Sequence, residues 1–166
     1  MKIEDYELKA DVAINQLENS GEKQEDGFKK AVKCSYNSAV NLFNDEYYGV
    51  AIRESLLCAD MAVKLFLWKK HMANYSDYHN LPMHRILNWF PDETMHDLIS
   101  DLKKMHELYE EYGDYMEMVE EYTENLYSRD KGFLDVDNNN VENIKKAARD
   151  VIILLDKCLV RLLRFE

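Results

Sequence analysis

Asp60 and Lys64 stand four residues apart, acid before base, inside the least polar stretch of the chain, YYGVAIRESLLCADMAVKLFLWKKH (47–71). That order and spacing let the two side chains meet on one helical face. A helix this apolar belongs at the centre of a bundle, covered on most sides. Ions carried into such a place need partners, and Arg53 lies seven residues before Asp60 on the same segment. Two roles suit such an inner polar cluster. It could fix helix register as a structural ion pair, or it could meet a charged or hydrogen-bonding ligand.

Other reactive residue types give weaker patterns. Four of the five histidines fall between His71 and His96, and the tightest spacing is His79-x4-His84. A di-iron bundle needs Glu-x-x-His pairs and a zinc protease His-Glu-x-x-His; neither is present, so no metal is expected. DVDNNNVE (135–142) starts like a calcium loop but has Asn140 where the turn glycine belongs and Lys146 where the bidentate glutamate belongs. A turn followed by a helix cap explains it better. The chain has no glycine-rich phosphate loop or nucleophile elbow, and no cofactor is implied.

The elements that must position these residues are helices. Five glycines and two prolines in 166 residues leave little punctuation for strands and hairpins. A first helix is expected over 3–18, with Ile3, Tyr6, Val12, Ala13 and Leu17 inward. SGEKQEDG (20–27) reads as a polar break. A second helix runs from about Phe28 to Asn44, with Ala31, Val32, Tyr36, Ala39, Val40 and Phe43 at three-four spacing. Only a short turn separates it from the segment 47–71, so the two should form an antiparallel hairpin. MANYSDYHNLP (72–82) is a linker and MHRILNWF (83–90) a short helix that stops at Pro91. From Glu93 a wide apolar face runs through Leu98, Leu102, Met105, Tyr109 and Tyr112, with Gly113 as the expected joint, because glycine costs about 1 kcal/mol against alanine inside a helix. SRDKGFLDVDNNN (128–140) is a loop. A last helix runs from about Val141 to Phe165, with Asn140 as N-cap. The expected fold is all-α: one domain, residues 1–166, an up-and-down bundle of about five helices.

Composition narrows the partners. Twenty-one basic against 32 acidic residues give a net charge of −11. Residues 92–124 hold twelve acids against Lys103 and Lys104, a local −10. DNA is therefore an unsuitable partner for the surface as a whole. The acidic helix face either is simply solvated or docks a basic protein. Cys34, Cys58 and Cys158 each lie in an apolar helical pattern and read as small buried hydrophobes. MKIEDYELK has no apolar run behind its charge, and no segment is apolar enough to span a membrane, so a cytoplasmic setting is expected.

The polar residues inside 47–71 carry a family resemblance. Tyr48-x-x-Ala51-x-x-x-Ser55-x-x-x-Ala59-Asp60-x-x-Val63-Lys64-x-x-Leu67 resembles the central helix of HEPN domains, where an acid is followed four residues later by a lysine. His79-Asn80-Leu81 looks like that family's His-Asp-Leu element, and Tyr127-Ser128-Arg129 like its Tyr-x-x-Arg-Tyr segment before the last helix. The likeness covers about residues 28–163, with the first helix as an addition. It implies an all-α bundle that dimerises, and roles in RNA cleavage, nucleotide binding or pairing with a small nucleotidyltransferase in toxin–antitoxin systems. The ribonuclease members carry Arg-x(4–6)-His. Here no arginine has a histidine at that distance, and no histidine follows His106.

The expectation is thus a non-catalytic HEPN-like binding or regulatory protein, a homodimer that binds a nucleotide or a protein such as a small nucleotidyltransferase. Arg53, Asp60 and Lys64 form its inner cluster, and Arg129 and His79 a phosphate-facing rim. Two rivals stand beside it. One is a ribonuclease with a rearranged pair such as His79 or His84 with Arg85. The other is an interaction scaffold using the acidic helix.

Overall fold

The segment expected at the centre lies there. In the computed structural model, Tyr48–Lys70 is one helix, and Ala51, Ile52, Ala59, Val63, Phe66 and Leu67 are buried along it. The structure describes residues 2–70, 85, 87, 92–124 and 138–164, of which 92–94, 113–124 and 138–141 are described in backbone only. Among these residues there are five α-helices and no strand. They are α1 (Ala10–Asn15), α2 (Lys23–Asn44), α3 (Tyr48–Lys70), α4 (Asp92–Glu124) and α5 (Asn138–Leu162), with a 3-10 turn over Ile3–Tyr6 ahead of them. The all-α bundle expected from the sequence is what folds. α3 packs against α2, α4 and α5, and α4 also packs against α5. One continuous apolar core joins them and takes in Leu87.

The α2–α3 hairpin is made by its turn. The Tyr47 N–H donates to Leu42 O (2.8 Å) and the Glu46 N–H to Phe43 O (3.0 Å), while Glu46 takes the left-handed conformation at φ 68°. This is the bond pattern that closes a helix with a left-handed residue just past its end. The chain then turns back at once, and Phe43 and Tyr48 meet edge to face with ring centroids 5.1 Å apart.

Several boundaries differ from the sequence reading. The first helix is broken: Glu7 sits at φ 57°, ψ 51°, and the helix proper begins only at Ala10. The inward face is accordingly Ala10, Ile14 and Leu17, one heptad with a three-four step, and Val12 is 64% exposed. α2 begins at Lys23, so the expected polar break contributes more than a turn of helix. Gly113 is no joint: α4 runs through it, and the one residue with non-helical angles is Met95 (φ −127°, ψ 17°). α5 begins at Asn138, so Asn140 lies inside the helix rather than capping it. Cys58 and Cys158 are buried as expected, whereas Cys34 is exposed on α2. The linker 72–82 and the loop 128–137 lie outside the described residues, as does 83–90 apart from an exposed Arg85 and a buried Leu87. No helix among the described residues is long and apolar enough to cross a membrane.

Candidate functional site

α3 brings Asp60 and Lys64 together. Lys64 Nζ donates to Asp60 Oδ2 at 3.0 Å, with the lysine side chain 5% exposed and the aspartate 19%. The helix positions them by its periodicity alone, since side chains four apart stack along one face. The other aspartate oxygen, Oδ1, is shielded from solvent and has no hydrogen-bond partner among the described residues. Burial pushes the Asp60 carboxyl above its ordinary range, against the downward pull of the Lys64 hydrogen bond and charge. A shielded carboxylate oxygen without a donor costs about 1–3 kcal/mol. The oxygen is thus an unmet acceptor that an N–H or O–H reaches only when the side chains around it move.

Arg53 does not join this pair inside the bundle. It lies on the same stripe two turns earlier, but exposed. The stripe closes along the helix. Arg53 and Leu57 are open, Leu57 45% so; Asp60 and Met61 are half-buried, and Lys64 is buried. The reason is position along α3: an early turn near the hairpin faces water on that side, while a later turn is enclosed. His79 and Arg129, the proposed rim, and His84 of the ribonuclease rival lie outside the described residues.

Two further buried-charge sites were not among the expected ones. In α5, Asp156 is 8% exposed and accepts the N–H groups of Lys9 (3.0 Å to each oxygen) and Ala10 (2.8 Å), plus the Tyr36 hydroxyl (3.2 Å). Its burial and the charge of Asp156 push the Tyr36 phenol far up. No spacing rule could have paired residues 146 and 147 positions apart. At the start of α2, Glu25 receives Lys29 (2.8 Å) and Lys69 (3.3 Å). Burial alone would raise this carboxyl, but hydrogen bonds from Lys29, Ser20 and Lys69 outweigh it and hold it at about 2. Glu25 and Lys29 show the same acid-before-base spacing as Asp60 and Lys64, a signal that the polar-break reading of 20–27 hid.

Among the described side chains of α4, most acids face water. Asp97, Glu107, Glu110 and Glu111 are exposed, while Asp101 turns inward to pair with Arg161 and, at 3.4 Å, Lys157 of α5. His106 contacts Glu110 at 3.0 Å. No group of three His, Cys, Asp or Glu side chains among the described residues converges as a metal set would. Compared with protein-family models, curated proteins and solved structures, the chain finds no match.

Proposed function

We propose that this chain is a non-catalytic, HEPN-like binding or regulatory protein, acting as a homodimer on a nucleotide or on a protein partner such as a small nucleotidyltransferase. One observation carries the reading: a carboxylate oxygen on the central helix is enclosed yet lacks a donor, beside a buried lysine. A bound amine, amide or base amino group would supply that donor and remove the cost of leaving it unmet. The order of elements agrees, with a tight hairpin leading into an apolar helix whose acid and lysine stand four apart.

Light scattering on the purified chain tests the dimer, and calorimetric titration with nucleoside mono-, di- and triphosphates tests the ligand. Binding should weaken at least tenfold in Asp60→Asn. A monomer that takes up no nucleotide and captures no nucleotidyltransferase would remove the proposal. Incubation with total RNA examines the enzymatic rival: metal-independent cleavage that disappears in Arg129→Ala and His79→Ala would replace the binding module with a ribonuclease.

A further inference from the structure

Residues 2–17 reach the bundle through contacts unlike those among its long helices. α1 has six residues, far too few to hold helical structure alone. It is gripped at both ends. Asp156 takes two N–H groups at its start, and Lys33 Nζ and Lys29 Nζ donate to the carbonyls of Leu17 (3.1 Å) and Glu18 (2.7 Å) just past its end. Acid on the donor pole and base on the acceptor pole is the pairing that helix ends favour. Upstream, Asn44 accepts the Ile3 N–H (2.9 Å) and donates to Glu4. Residues 18–22 are exposed, Ser20 and Gly21 bond to Asp26, and Gly21 turns the chain at φ 87° with open space where a β-carbon would stand.

Asp156 sits in mid-α5, where its own backbone needs no cap. Its donors come from the N-terminal segment and from Tyr36. Apart from the Tyr36 hydroxyl, those donors are present only when residues 2–17 are in place. We propose that residues 2–17 form a strap that opens as one unit from a groove between α2 and α5, with Asp156 as its latch. The groove receives a short helix by its two poles, and its occupant is this chain's own N-terminal segment. The inference is independent of the nucleotide or partner reading. It rests on a different face and different residues.

Hydrogen exchange read by mass spectrometry on the full chain tests it, with trypsin sensitivity at exposed Lys9 in parallel. In the native protein, amides of 3–17 should exchange at least about tenfold faster than those of α3, because a unit held by few contacts opens below the global barrier. Asp156→Asn should speed all strap amides by one common factor of about ten, and cleavage after Lys9 with it, with the α3 amides remaining the slower set. Strap and α3 amides exchanging at one common rate in the native chain would overturn the proposal. So would an Asp156→Asn protein whose strap exchange and Lys9 cleavage are no faster than in the native chain. Lys33→Met offers the same reading from the opposite pole, with the same two outcomes.

Discussion

Asp60 on α3 and Asp156 on α5 are both aspartates carried into the bundle, and they are treated in opposite ways. Asp156 is surrounded by donors, three of them, drawn from residues at the other end of the chain and from α2. Asp60 has one donor from its own helix and one oxygen with none. The first carboxylate ties distant parts of the fold together. The second adds little that the helix lacks already, and its surroundings leave it with unmet capacity. Saturation marks a structural carboxylate; the enclosed Asp60 oxygen, without a donor among the described residues, is what the binding proposal rests on.

The strongest way to break the comparison is Asp156→Ala. It strands two backbone N–H groups and a phenol, and should destabilise the chain by about 3 kcal/mol or more in urea unfolding. A loss under about 1 kcal/mol would show that Asp156 ties nothing. Glu25 supplies a third case, ionic and saturated. Its carboxyl is held near 2 in the fold, below the ordinary 4.5. Its stabilisation is therefore present above pH 4.5 and lost as pH falls toward 2. Glu25→Gln should remove up to about 3 kcal/mol at neutral pH and flatten acid unfolding within that window.

Lys64→Met leaves Asp60 with no donor and should cost about 2 kcal/mol, less than a fully buried pair because the aspartate keeps some solvent. Asp60→Leu with Lys64→Met should recover most of that loss, a non-additivity that a double-mutant cycle measures. The sign of the pH effect is also reversed. Burial raises the Asp60 carboxyl in the fold, so its contribution is fullest below pH 3.8 and falls as pH rises through the raised value. Asp60→Asn should make stability fall less with rising pH across that range. The smallest effect belongs to Val12→Ser, within about 0.5 kcal/mol, where Ile14→Ala should cost at least about 2 kcal/mol. Equal losses at the two positions would mean that α1 faces the bundle differently.

What could be read in advance was whatever depends on near neighbours. The apolar stripe of α2 from Val32 to Phe43, the burial of α3 and the core row Ala148–Leu162 of α5 all follow from three-four spacing. So does the Asp60–Lys64 contact. The split of the first helix was hidden because its cause is remote. The N–H groups of Lys9 and Ala10 are met by a carboxylate some 146 residues away, which fixes where α1 starts and hence that Val12 faces water. The start of α2 was hidden for another reason. Residues 23–27 are polar, and burial of Glu25 depends on Lys29 and Ser20 together with Lys69 arriving from α3. The openness of Arg53 depends on which turn of α3 its neighbours cover, and spacing along one helix is silent on that.

The uneven placement of sulfur has a practical consequence. Two thiols are sealed in the interior, with Cys158 pushed up to about 12 by burial and Cys58 higher still, and only Cys34 meets solvent. The folded chain therefore carries a single ready attachment point for a fluorophore or spin label, on α2, and no cysteine need be added or removed. A dye placed there would report on its helix against any second reporter, and the uptake of further label would signal that the interior has come apart.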